Sequence, residues 1–382
     1  MLTRRRLLKT GAAFAAAASS GLAMPALAQT KKLKIGYVSP QTGPLSAFSA
    51  ADSFMVEKFL AAAPGRGLDV EVIVKDSQSN PNRAAEVAKE LISRDEVNLL
   101  LVASTPETTN PVCSIGEQEE IPVISTVAPW QPWFIGQQGN PGDPGSWQEF
   151  DYAYHFFWGL EDNVAVFMNM WNSVPTNKRV GALWPNDGDG NAWASDVGMP
   201  PVLKAQGYEL TDPGRYQNLT DDFSAQISAF KQADCEIMTG IPIPPDFTTF
   251  WTQAKQQGYN PKLVSVAKAL LFPESVAALG ELGHNLTAEV WWSPEHPFKS
   301  SLTGESAGEL AAAFEAAANR QWTMPVGFVH ALFEVATDAI SRTEDPTDGD
   351  ALAEAISTTN LDTVVGKIQW GRDNVPEFAR KN

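Results

Sequence analysis

Short apolar runs alternate with segments of helical period along almost the whole chain, and the set occurs twice. Leu33 to Val38, Val70 to Val74, Val97 to Ala103 and Ile121 to Val127 are nearly unbroken apolar stretches. Runs of that length without polar alternation read as strands covered on both faces, the pattern of a parallel sheet between helices. In Asn82 to Arg94, the pairs Val87/Leu91 and Ala88/Ile92 recur at helical spacing, and Asn80-Pro81 supplies a cap and a first-turn proline. Strand, helix, strand in this order predicts a right-handed doubly wound half. A second set follows: Val180 to Trp184, Glu236 to Thr239, Leu263 to Val266 and Glu289 to Trp292 are strand-like. Phe223, Ile227 and Phe230 form one intervening helical face, and Phe247, Phe250 and Trp251 form another. Residues 306 to 342 hold two helices with no strand between them, the second carrying Phe328, Leu332, Val335 and Ala339 on one side, which suits a return to the first lobe.

The first 28 residues have the form of a secretory leader: Arg4, Arg5, Arg6 and Lys9, an alanine-rich stretch, and Ala26-Leu27-Ala28 before the expected cut. Thr3 to Lys9 is similar to the twin-arginine export motif, an address and not an anchor. The expected location is the periplasm. An uncleaved anchor is the alternative, but Ser, Gly and Pro interrupt the apolar run. Without the leader's four basic residues, the 28 Lys and Arg against 45 Asp and Glu leave a charge of −21. A surface so acidic repels nucleic acid and anionic headgroups and favours solubility. The only cysteines, Cys113 and Cys235, fall in different halves and are expected as free, buried thiols. A mature chain of about 350 residues implies two domains, large enough to need no staple.

Several ordered segments carry a family resemblance. Ile35-Gly36-Tyr37-Val38 through Thr42-Gly43-Pro44-Leu45, the Asp76-to-Pro81 turn, Ala103-Ser104-Thr105, Ile121 to Thr126, Asp222 to Ile227 and Gln256-Gln257-Gly258-Tyr259 resemble the extracytoplasmic solute-binding proteins of branched-chain amino-acid and amide ABC transporters. That resemblance implies an α/β type I periplasmic binding fold: two Rossmann-like doubly wound lobes on a three-strand hinge, closing over a solute that passes to a permease and its ATPase. On that plan residues 1–28 are the leader, 29–157 the first part of lobe 1, 158–292 lobe 2, 293–360 the return to lobe 1, and 361–382 a hinge and lobe 2 segment. Relatives run through a further C-terminal segment, so this member is either short or shortened. A monomer without cofactor is expected.

In open α/β sheets, ligands sit beyond the carboxyl ends of the strands. Ser104 and Thr105 follow the third strand and begin a helix, where amides and hydroxyls suit a carboxylate or another acceptor group; Ser104-Thr105-Pro106-Glu107 also reads as a capping box. Phe48, Thr126, Trp130 and Trp158 are further candidates in the first lobe and at the first crossover. Trp130 and Trp133 together point to a flat or apolar solute, although tryptophan is also a core filler and the chain has 12. In the second lobe, Asp189, Trp193 and Ile243 follow strands. Lys268 stands where the resembled amino-acid binders carry an acid for the solute's ammonium, so it favours an organic acid such as an aromatic carboxylate over a plain amino acid; an exposed lysine is the alternative. Asn186 to Asn191 has the front of a calcium loop without the distal Glu, and a turn closing over ligand is the preferred reading.

Catalysis has little support. His155, His284, His296 and His330 lack metal-ligand spacing, and neither a Gly-x-Ser-x-Gly elbow nor a phosphate loop is present. Trp292 to His296 puts Ser293 near a histidine without an orienting acid, which leaves an exported hydrolase as the weakest alternative. A solute-sensing partner of a membrane receptor would use the same fold.

Overall fold

The computed structural model describes residues 32–143, 146, 150–371 and 379–380. The leader of residues 1–28 and its export motif lie outside the described residues.

The first lobe follows the strand–helix alternation. It runs β1 (Leu33–Ser39), α1 (Asp52–Ala62), β2 (Val70–Asp76), α2 (Pro81–Ser93), β3 (Leu99–Ala103), α3 (Pro106–Gln118), β4 (Val123–Thr126), α4 (Trp130–Gly136) and β5 (Ala153–Phe156). The Asn80 side chain caps α2, its Oδ1 accepting from the amides of Asn82 and Arg83, as its sequence position predicts. Gly36 lets that helix settle on the sheet: a Cβ there would lie 3.0 Å from a Leu91 methyl carbon. Tyr37 points to the other face, where Phe333 meets its ring and stacks on Phe59.

The chain then enters α5 (Leu160–Asn172) and a second lobe of β6 (Arg179–Leu183), α6 (Gly188–Trp193), α7 (Met199–Ala205), β7 (Glu209–Thr211), α8 (Ser224–Gln232), β8 (Ile237–Gly240), α9 (Pro244–Gln256), β9 (Leu263–Val266) and α10 (Pro273–Ala278). Its four strands are parallel in the order β7-β6-β8-β9. The residues of α5, α6 and α7 build one apolar layer and those of α8 and α9 another. Glu289 to Trp292 is not a strand; the one pairing nearby is the isolated bridge of Thr287 to Ser265, so this stretch serves as connector.

Three helices, α11 (Ala307–Ala318), α12 (Pro325–Arg342) and α13 (Gly349–Ser357), precede β10 (Asn360–Thr363), β11 (Gly366–Gln369) and β12 (Ala379–Arg380). Phe328, Leu332, Val335 and Ala339 all join the first lobe's core. The end of the chain departs from the plan that put 361–382 with the hinge and second lobe. β12 pairs with β5, completing a parallel sheet of order β12-β5-β4-β3-β1-β2, and Ile368 and Trp370 pack in the first lobe's core. Among the described residues the chain therefore crosses between lobes twice, at 157–159 and 289–292, and the third hinge strand implied by the resemblance is not among them. Cys113 and Cys235 are free and buried, in the cores of different lobes.

Candidate binding site between the lobes

The carboxyl ends of β3 and β4 face those of β6, β8 and β9 across a closed cleft. Its centre is a charge cluster. Lys268, just past β9, is 4% exposed, and its ammonium lies 2.5 Å from Asp189 Oδ2 and 3.6 Å from Asp187 Oδ2. Asp187 is fixed by local structure: it caps α6 by accepting the Gly190 amide and also accepts from Asn218. The loop with calcium-like spacing is thus a helix start. Glu107, from the first turn of α3 in the opposite lobe, accepts the Gly188 amide at 2.8 Å. Three carboxyl groups surround one ammonium, so the cluster holds more acids than its single cation can pair with.

Burial lowers the proton affinity of the Lys268 ammonium, but Asp187, Asp189 and Glu107 outweigh it and hold the group well above the usual lysine range. Burial pushes the Asp189 carboxyl up to about 7, opposed by Lys268 and reinforced by Glu107 and Asp187. Burial and the charge of Asp187 also raise Glu107. Lys268 is therefore neither an exposed lysine nor the lone cation that the sequence position predicted for a solute carboxylate. Its partners sit 79 and 81 residues earlier, where no sequence spacing announces them.

The other expected residues divide into two groups. Thr105, the N-cap of α3, is buried with its Oγ1 unpartnered. The expected capping box does not form, because Glu107 reaches across the cleft instead. Phe48 packs edge-on against Phe272 of the second lobe at 4.9 Å between ring centres. Ile243 and Phe272 both join the first lobe's core, so these apolar residues seal one end of the cleft. Trp130 donates its backbone amide to the Trp158 carbonyl and its indole to Glu161, which brings α4 against the first crossover.

Protein contacts occupy the second group. Ser104 Oγ accepts from Thr108, and Thr126 Oγ1 donates to the Phe156 carbonyl. Trp193 is packed within the second lobe against Phe167. Trp133 is fully buried and stacked on His155, so it fills the core and supplies no ligand surface.

Two backbone positions escaped sequence reasoning. Val127 (φ 74°) and Lys268 (φ 62°) each follow a strand, β4 in one lobe and β9 in the other, in the left-handed region. A β-branched residue rarely adopts that conformation, and strain of this kind collects where surrounding structure must aim a chain at a site. Around Lys268 the chain turns within three residues, the Ala269 amide bonding the Ala267 carbonyl at 2.6 Å. Phe272 was also missed; its place just before Pro273 at a helix start was the available signal.

Two doubly wound lobes that close by hydrogen bond and aromatic contact over unpartnered buried polar atoms define a solute-binding protein of the cleft-closing class. The chain belongs to the periplasmic binding protein family, whose profile matches residues 32–376. Solved structures agree on the fold. A leucine-binding protein from Thermotoga maritima is 18% identical and superposes with a TM-score of 0.71 over 90% of this chain and 92% of its own. A branched-chain amino acid transporter substrate-binding protein from Streptococcus pneumoniae, in complex with isoleucine, is 16% identical with a TM-score of 0.71 over 90% and 93%. An ABC transporter solute-binding protein from Rhodopseudomonas palustris, in complex with 3,4-dihydroxybenzoic acid, is 17% identical with a TM-score of 0.69 over 91% and 90%. This is a family of binding proteins rather than enzymes.

Proposed function

We propose that this protein is the periplasmic receptor of an ABC importer, and that it takes a small amino acid with an apolar or aromatic side chain into the interlobe cleft and presents it to the permease. The observation that carries the reading is the excess of carboxyl groups over ammonium at Glu107, Asp187, Asp189 and Lys268. A solute ammonium would balance that excess. The α3 N-terminus with its unpartnered Thr105 hydroxyl suits the solute's carboxylate, and Phe48, Trp130 and Ile243 suit its side chain. Closure is stabilised to the extent that solute binds the closed state better than the open one. Bound isoleucine in the Streptococcus pneumoniae relative is consistent with the same chemistry.

A second solute class has one supporting observation: Lys268 is a cation within the cleft, and the Rhodopseudomonas palustris relative holds an aromatic acid. A thermal-shift panel of branched-chain and aromatic amino acids, aromatic carboxylates, aliphatic acids and short amides separates the two. Ligand at one hundred times its dissociation constant adds about 2.7 kcal/mol, a shift of a few degrees. Stabilisation by amino acids supports the proposal; stabilisation by aromatic carboxylates alone transfers the site to Lys268, and silence across the panel rejects both.

A further inference from the structure

A second cavity, of about 260 Å³, lies where the two connections pass between the lobes. Trp158 of the first connection and Glu289, Val290 and Trp291 of the second line it, with α5 of the second lobe on one side and Phe328 of α12 on the other. Apart from Trp158 it shares no lining residue with the cleft site. Its size is just below the range of drug-sized sites, about 300–1,000 Å³, which suits a smaller ligand.

Three independent features mark it as built for a ligand. Its floor gathers polar side chains around one buried carboxyl: Asn163 and the Trp291 indole face Glu289, and the Trp158 indole nitrogen has no hydrogen-bond partner. Asn163 is 3% exposed and Glu289 is 5% exposed, so this polar floor is shielded from bulk water beneath an aromatic cavity. Its walls are aromatic and fixed: Trp291 packs edge-on against Phe157 at 4.9 Å and against Phe328 at 5.4 Å. Its mouth is apolar. Val166, Val290 and Phe298 are 52%, 61% and 38% exposed and all three line the cavity, three of the few large hydrophobic side chains left in solvent among the described residues.

The charge of the lining decides the ligand class. Asp162 and Glu289 are the acidic members, no lysine or arginine lines the cavity, and burial lowers the pKa of the one histidine, His296, which favours its neutral form. Burial lifts the Glu289 carboxyl to about 7 although Asn163, Trp291 and the Lys268 amide favour its charged form. A carboxyl group in that state gains from an arriving cation, and tryptophan and phenylalanine faces attract one.

We propose that this cavity is a second ligand site that takes a small organic ammonium ion with an apolar body, its charge on Glu289 and Asn163 and its body against Trp158, Trp291 and Phe328. Because both connections and both lobes line it, its occupant contacts the segments that must flex when the lobes open.

The test is a tryptophan-fluorescence titration of the full mature protein in amine-free buffer. The probes are phenethylammonium, neutral phenethyl alcohol and anionic phenylacetate. The expected order is phenethylammonium at least tenfold tighter than the alcohol, with phenylacetate weakest. Glu289→Gln should weaken the ammonium at least tenfold and the alcohol little. Val166→Arg, a change on the exposed face of α5, should weaken both by closing the mouth, whereas Glu107→Ala, which removes a member of the cleft's own acidic cluster, should leave the ammonium affinity within twofold. Equal affinity for ammonium and alcohol, or an unchanged Glu289→Gln titration, overturns the proposal. Loss of the ammonium signal in Glu107→Ala with Val166→Arg unaffected also overturns it, placing the probe in the cleft and leaving the reading of the cleft intact.

Discussion

Glu107 and Gly188 belong to different lobes and meet directly: the glutamate Oε1 accepts the glycine amide at 2.8 Å. The approach is close: a Cβ at 188 would lie 3.1 Å from that oxygen and 3.4 Å from the Pro106 Cβ, so a side chain there would crowd the contact. This bond exists only while the lobes are closed. It ties α3, whose cap Thr105 carries an unpartnered hydroxyl, to the loop that carries Asp187 and Asp189.

Removing the carboxylate should therefore weaken solute binding more than it weakens the fold. A hydrogen bond to a charged group contributes about 1.5–3 kcal/mol net, so Glu107→Ala is expected to lower affinity roughly ten- to a hundredfold by calorimetry, with the melting point of the unliganded protein nearly unchanged. Equal affinity in variant and wild type would mean that the lobes close without this contact.

Lys268 gives the opposite signature. Deleting one member of a buried ion pair leaves its partners uncompensated and costs about 3–5 kcal/mol. Lys268→Met should lower the urea midpoint accordingly, since Asp189 stays buried at 1% exposure with its counter-ion gone. Adding Asp189→Asn should recover a large part of the loss. If the double variant is no more stable than Lys268→Met, the pair is not what holds this corner.

The strand–helix plan was legible because its signals are local. Leu99 to Ala103 is buried at every position, and an unbroken apolar run reports that directly; Asn80-Pro81 likewise declares the start of α2 within two residues. The site was legible only in part. Thr105, Asp189, Ile243 and Lys268 could be placed near the cleft from strand ends, but the chemistry of Lys268 depends on residues about 80 positions away. Glu107 looked like a capping residue because the box pattern is complete in sequence, and only the opposing lobe offers it a better donor. Trp133 and Trp130 are three residues apart with the same chemistry, yet one faces the core and the other the crossover. β5 was missed because Ala153 to Phe156 is short and follows a long polar stretch, so it had no run to stand out from.

The strained backbone at Val127 has a test with an unusual sign. Glycine is ordinarily about 0.5–1 kcal/mol less favourable than alanine within ordered structure, whereas a left-handed conformation costs a side-chain-bearing residue roughly 1–2 kcal/mol. At φ 74° the second effect should win. Both Val127→Ala and Val127→Gly lose the packing of a buried valine, so comparing them cancels that loss and isolates the strain. Val127→Gly should unfold at higher urea concentration than Val127→Ala; the ordinary order would show that the turn after β4 relaxes.

Asp52 sets a pH dependence whose sign follows from its surroundings. It begins α1, is 3% exposed, and accepts from Ser39 Oγ at 2.6 Å, with the Tyr37 hydroxyl beside it. Burial raises its carboxyl to about 7 although Ser39 and Tyr37 favour the charged form. In the unfolded chain the group titrates near 3.8. Between those values the native state keeps a proton that the unfolded state releases, so this residue's contribution to stability falls as pH rises through the window and is flat above about 7. Asparagine has nearly the same shape and no proton to lose. The stability of Asp52→Asn relative to wild type, from urea denaturation at a series of pH values, should therefore climb from pH 4 to pH 7 and then level off. Referring each point to wild type at the same pH cancels the opposing contribution of the buried neutral histidines His155 and His330, whose pKa values burial lowers to about 3. A difference that stays constant across the window would mean that Asp52 is ionised in the native protein, with Ser39 and Tyr37 sufficient to hold its charge.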